Sequence, residues 1–158
     1  MPHLDSAYNL ARWLVRDVHD AQDVVQEAYL RAIRSFDGFH GEDGRSWLLA
    51  IVRNTCYDWL RKHRIPGAAI EREEDLDSLA DETPSAETMQ LREADRQLIH
   101  DCLERLPQEY REVLVLRELE EMSYRQIAAV TDLPIGTVMS RLARARKRMQ
   151  AMLTGAAK

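Results

Sequence analysis

Apolar residues in this chain recur at spacings of three and four, and no stretch keeps the alternation that a half-buried strand needs. The pattern predicts helices throughout. Leu4, Tyr8, Ala11, Leu14, Val15 and Val18 share one side of a first helix, from about Asp5 to Val18. Asp20 suits the cap of a second, which carries Val24, Val25, Ala28, Ala32 and Ile33 to about Phe36. A glycine-bearing loop, 37–44, follows, and Ser46 or Asp43 opens a third helix from Trp47 to about His63. Further on, Ser85 or Thr88 begins a helix through Leu91, Ala94, Leu98, Cys102 and Leu106. Pro107 starts another, with Tyr110, Val113, Leu114 and Leu116 on its apolar side.

The segment from Ser123 to Met152 carries the sharpest local signal. Ser123 with Gln126 three residues later is a capping-box pair, and Ile127, Ala128 and Val130 give the helix it opens an apolar side. Thr131 and Asp132 ahead of Leu133 and Pro134 break that helix. The next one places Ile135, Val138, Leu142, Ala145, Met149 and Met152 on a stripe expected to be buried. Thr137, Ser140, Arg141, Arg144, Lys147 and Arg148 form a second stripe, facing away from the first. From Leu133 to Lys158 there is no Asp or Glu, against six Lys or Arg. A merely solvated helix mixes signs to gain pairs four residues apart, so a face of one sign points to phosphate. The segment therefore reads as a helix-turn-helix whose second helix lies in the DNA major groove.

Net charge opposes that reading until it is divided along the chain. The 158 residues carry a formal charge of −5. Residues 1–64 hold nine acids and nine bases, whereas 65–88 hold eight acids and one base. Residues 89–158 hold ten acids and twelve bases, with the positive part at the end. The acidic stretch contains Pro66, Gly67 and Pro84 and lacks a helical apolar stripe, apart from a brief turn near Leu76 and Leu79. The expected architecture is thus all-α. Two small helical domains, 1–64 and 89–158, are joined by an acidic flexible linker, 65–88, and the second contains the helix-turn-helix.

The third helix combines Trp47, Tyr57 and Trp59 with Arg45, Arg53, Asn54, Arg61, Lys62 and Arg64. Aromatic faces beside cations suit unstacked bases and a phosphate backbone, while Trp47, Leu48, Ile51 and Val52 are expected in the core. No glycine-rich phosphate loop or nucleophile elbow is present, and His3, His19, His40, His63 and His100 are scattered without ligand spacing. Neither an enzyme nor a metal or other cofactor is expected. Cys56 and Cys102 read as small buried residues in a reducing cytosol. No apolar run has the length of a membrane span and no secretory signal is visible, so the expected location is the cytoplasm without membrane insertion.

Taken together, DAQDVVQEAYLRAIRSFDGF at 20–39, SWLLAIVRNTCYDWLRKHR at 46–64 and the segment 106–149 resemble the extracytoplasmic-function sigma factors of bacterial RNA polymerase. The resemblance implies a subunit that binds core polymerase and promoter DNA, with an anti-sigma factor as a further partner. Asp23, Gln26, Glu27 and Arg31 resemble the surface that grips the clamp helices of the largest polymerase subunit. Phe39, Gly41, Arg53, Asn54, Arg61 and Lys62 resemble the minus-10 surface, where a flipped base is captured. Met139, Ser140, Ala143 and Arg144 resemble base-reading positions for the minus-35 element. Arg117, Pro134, Gly136, Thr137, Arg141, Lys147 and Arg148 resemble backbone anchors. On composition alone the acidic stretch serves solubility; the resemblance adds the alternative that it passes near the polymerase active site as a nucleic-acid mimic. The rival reading is a conventional helix-turn-helix regulator that binds a palindrome as a dimer without polymerase.

Overall fold

Helix α1 spans Leu4–Val15 and stops before Val18 because Arg16 turns left-handed, with φ 69° and its amide bonded back to the Arg12 carbonyl. Asp17 then caps α2, Val18–Ser35, by accepting from the amides of His19 and Asp20. The cap thus lies three residues ahead of the expected Asp20, and Val18 opens α2 in solvent instead of closing α1 in the core. The structure is a computed structural model and describes residues 3–39, 41, 43–63 and 93–156. Regular structure among these residues is entirely helical.

A single-turn 3-10 helix, Phe36–Gly38, follows α2, and α3 runs Gly44–His63. Asp43 is its cap: the carboxylate accepts from the Ser46 amide at 3.0 Å and the Ser46 hydroxyl at 2.6 Å. Hydrogen bonding to Ser46 holds the Asp43 carboxyl below its ordinary range. The three helices enclose Ala7, Leu10, Ala11 and Leu14 from α1, Ala21, Val24, Val25 and Ala28 from α2, and Leu48, Leu49, Val52 and Cys56 from α3. Alanines at Ala7, Ala11, Ala21 and Ala28 let the helices approach closely. Leu4 and Ile33, expected in this core, face solvent, Ile33 at 69% exposure.

The second unit comprises α4 (Glu93–Arg105), α5 (Gln108–Leu114) with a π turn (Val115–Leu119), α6 (Tyr124–Thr131) and α7 (Ile135–Ala156). The capping box at Ser123 forms in full, its hydroxyl accepting from the Gln126 amide at 3.1 Å and Gln126 accepting from the Ser123 amide at 2.9 Å. Asp132 ends α6 with a left-handed φ of 57°. Along α7, Val138, Leu142, Ala145 and Met149 are buried, but Ile135 is 41% exposed, so the buried stripe begins a turn later than expected. Buried Arg111 closes α4 by donating to the carbonyls of Glu104 and Leu106, at 3.0 and 2.9 Å. Burial pulls its pKa down to about 10, which still leaves it cationic at neutral pH.

The two units pack against each other, α1 and α3 on α5 and α6. Their seam is polar. Arg53 on α3 meets Glu112 on α5 through two bonds of 2.7 and 3.1 Å, and the Tyr57 hydroxyl donates to the same carboxylate at 2.9 Å. Arg45 donates to both the carbonyl and the carboxylate of Glu120, which also accepts from Asn9 at 2.8 Å. Gln126 donates to Asp43 at 3.0 Å, joining the N-termini of α6 and α3. The expected linker 65–88, the turn near Leu76 and Leu79, and the expected helix start at Ser85 or Thr88 lie outside the described residues.

Candidate nucleic-acid and polymerase interface

The turn before α7 is short because Pro134 offers its carbonyl to the amides of Thr137 and Val138, at 3.0 and 3.1 Å. Pro134, Gly136, Met139 and Ser140 stand exposed at the start of the helix, Met139 at 50%. Ala143, Arg144, Lys147 and Arg148 continue that side half-buried, as do Thr137 and Arg141 beside it. All lie off the Val138–Leu142–Ala145 stripe, so the expected base-reading and backbone residues share the outer part of one helix. Arg146 instead ties α7 to the π turn through Glu118 at 3.0 Å. Arg117 is pinned: it donates to the Met122 carbonyl at 2.8 Å and lies 4.8 Å over the Tyr124 ring. Its cation is therefore set beside the start of α6, a fixed position for a phosphate contact.

On α3, Asn54, Arg61 and Lys62 are exposed, and Arg61 pairs with Asp58. Asp58 also holds Arg31 of α2 at 2.8 Å, and that guanidinium reaches Glu27 at 3.3 Å. The Arg31 bond, above all, keeps the Asp58 carboxyl below its usual range. One carboxylate thereby links the expected polymerase surface to the expected minus-10 surface. The Phe39 ring lies 4.7 Å from that of Trp47, tilted by 33°, and a Cβ on Gly41 would fall 1.6 Å from the Phe39 ring, so a larger residue there must displace that ring. His40 and Glu42 of this loop lie outside the described residues. Arg53 departs from the expectation of an outward cation: its side chain is 18% exposed and faces Glu112.

Asp23 and Gln26 are exposed on α2, while Glu27 and Arg31 are half-buried in their ion pair. Sequence reasoning missed their neighbours. Leu30, Ile33 and Phe36 continue the same side of the helix as an exposed apolar stripe, with Phe36 at 61%. The available signal was a second stripe at spacing three, offset from Ala21, Val24, Ala28 and Ala32.

Burial pushes the Cys56 thiol and the Tyr57 phenol far above their ordinary values, so both stay protonated. His100, Asp101 and Glu104 bring ligand atoms within 4.8 Å of one another on α4, a grouping that the sequence pattern did not single out. A His and a Glu four apart on a helix face meet by helix geometry alone. No helix among the described residues is long and apolar enough to cross a membrane.

Two helical units, one with an aromatic and cationic helix and one with an outward helix-turn-helix, match known families in that order. The sigma-70 region 2 family matches residues 1–65 and the sigma-70, region 4 family matches 96–149, which places the chain in the sigma-70 class. The ECF RNA polymerase sigma-E factor of Escherichia coli is 39% identical over 135 residues, spanning 81% of this chain and 71% of that one. The RNA polymerase sigma-H factor of Pseudomonas aeruginosa is 38% identical over 144 residues, spanning 85% and 75%. A solved sigma factor RpoE, in complex with the anti-sigma factor NepR from Bartonella quintana, shares the fold with a TM-score of 0.72 and 30% identity, over 97% of this chain and 92% of that chain. The chain belongs to the ECF sigma factors, subunits that direct promoter-specific transcription initiation.

Proposed function

We propose that this chain binds core RNA polymerase through the Asp23–Gln26–Leu30–Ile33–Phe36 side of α2 and reads two promoter elements with its two units. Its residues divide into 1–64, an acidic connector at 65–88, and 89–158. Helix α7 enters the major groove of the minus-35 element, with Met139, Ser140, Ala143 and Arg144 at base edges. Arg117, Pro134, Gly136, Thr137, Arg141, Lys147 and Arg148 position it on the backbone. Phe39, Gly41, Asn54, Arg61 and Lys62, with Arg53, serve the minus-10 element. The connector, net negative, lies along the basic interior of polymerase. The chain works in the cytoplasm without chemistry of its own, and an anti-sigma factor, like those bound to its structural relative, competes for the α2 surface.

The carrying observation is the exposure of Pro134, Gly136, Met139 and Ser140 at the start of α7, a helix without carboxylates. Incubating the purified chain with core polymerase on a promoter library should yield discrete transcripts and footprints that vanish when core is omitted. Protection of a palindrome by the chain alone would favour the dimeric regulator and overturn this reading.

A further inference from the structure

A cleft of about 580 Å³ opens between α1 and the second unit, apart from the promoter and polymerase surfaces. In the closed chain, with the two units packed together, α1 supplies one wall and α4 with Glu120 the other. Tyr8, Arg12, Trp13, Arg16 and His100 line the half toward the end of α1. The Trp13 and His100 rings meet across the two units at 4.6 Å, tilted by 48°. Charges in this half are not balanced. Arg16 donates at 2.7 Å to the Glu104 carbonyl, a neutral oxygen that Arg111 also reaches at 3.0 Å. Burial, and next the charge of Arg16, draw the Arg111 pKa down, so two cations crowd the end of α4. Arg12 makes no side-chain hydrogen bond or salt bridge among the described residues and acts on Asp17 only through its field. The acids of the cleft are engaged elsewhere. Glu120 accepts from Arg45 and Asn9, and the Glu104 carboxylate faces the His100 ring at 3.7 Å. Asp5 lies two turns before Arg12, about 10 Å along the helix.

We infer that this cleft binds a nucleoside diphosphate. Arg12 and Arg16 stand one helical turn apart, so each guanidinium can take one phosphate of a linked pair. Beside them the Tyr8 and Trp13 rings offer flat faces to a heterocyclic base. The volume suits an organic ligand and exceeds what an inorganic anion fills. Capping of α4 accounts for Arg111, which binds the carbonyls of Glu104 and Leu106. It does not account for Arg12 or for the aromatic wall. Each unit supplies one wall, so a bound nucleotide touches both. The site stands independently of the promoter and polymerase assignments, since none of those residues lines it.

Calorimetric titration of the full chain, free of polymerase and DNA, tests the site. ADP and GDP are the probes, with adenosine and inorganic pyrophosphate as the separated halves of the first. Both diphosphates should bind saturably at one site, and each half should bind more weakly by roughly tenfold or more. Arg12→Gln and Arg16→Gln should each weaken ADP by roughly tenfold, the loss of one charge-assisted contact. Arg12→Lys keeps the charge without the fork and should fall between Arg12→Gln and the parent. Resonances of the Trp13 indole and the His100 ring should move together as ADP is added. Absence of saturable heat from both diphosphates at millimolar concentration overturns the site. Pyrophosphate binding as tightly as ADP overturns the nucleotide assignment, because the aromatic wall then contributes nothing. ADP binding that survives Arg12→Gln and Arg16→Gln but falls in Arg144→Gln belongs to the outer side of α7 and overturns the cleft as its place.

Discussion

Helices α3 and α7 are of similar length, 20 and 22 residues, and each carries a row of cations, yet they end in opposite situations. Among the described residues α7 packs mainly within its own unit, on α4, α5 and α6, and keeps an outer face. α3 is wedged between α1 and α2 on one side and α6 on the other, so one of its arginines meets a buried carboxylate instead of solvent. Similar composition has produced one cationic face on display and one held partly inward. What separates them is the surface that lies opposite each helix, not the helices themselves.

The largest effect should come from removing a core leucine from each. Leu49 on α3 and Leu142 on α7 are both buried, and either substitution to Ala should lower unfolding free energy by about 2–5 kcal/mol. Chemical denaturation measures that loss. Hydrogen exchange then breaks or keeps the contrast. Leu142→Ala should accelerate exchange in α5 and α7 and leave α1 protected, whereas Leu49→Ala should accelerate it in α1, α2 and α6 together. Equal acceleration everywhere for both variants would erase the distinction between an inserted helix and an outward one.

Next in size is the loss of base reading on the outward helix. Arg144→Ala in the holoenzyme should weaken promoter binding by about 1–3 kcal/mol and relax preference at one base pair of the minus-35 element. Lys147→Ala should instead weaken all sequences alike and lower the salt dependence by about one counterion. Competition binding across a set of single-base variants, repeated at several salt concentrations, separates the two. Arg144→Ala losing all sequences equally would make it a backbone anchor.

The contrast between α3 and α7 also marks where sequence was sufficient. The start of α6 and the buried stripe of α7 are local matters, since Ser123, Gln126 and the spacing of Val138, Leu142 and Ala145 decide them within a few turns. Two caps competed at the start of α2. Asp17 and Asp20 are equally suited by type, and the left-handed Arg16 selects the first. Ile33 was misplaced because α2 has two apolar stripes, and only tertiary contact says which one faces the core. Glu112 and Arg53 are 59 positions apart, and no periodicity couples a carboxylate on one helix to a guanidinium on another. The helices and the outward side of α7 were legible, while the seam between the units was not.

Acid offers the mildest way to separate the two helices' fates. Burial raises the pKa of Glu120, but hydrogen bonds from Ser6, Arg45 and Asn9 outweigh it and leave the carboxyl below its ordinary 4.5. Asp43 is likewise held below 3.8, chiefly by Ser46 within its own unit, and only its bond from Gln126 crosses the seam, so Glu120 carries most of the linkage to closure. Groups depressed in the closed chain favour closure fully above their ordinary values, and that contribution fades as pH falls through the lowered ones. The seam should therefore be insensitive to pH from neutrality to about 5 and begin to loosen below about 4.5, ahead of any unfolding of the second unit. Helix α7 has no carboxylates of its own. Amide and methyl signals of α3 and α6 at the seam should shift on acidification while those of Val138 and Leu142 hold. Simultaneous loss of both sets would mean that the two units melt as one body, and that the seam is as integral to the fold as either core.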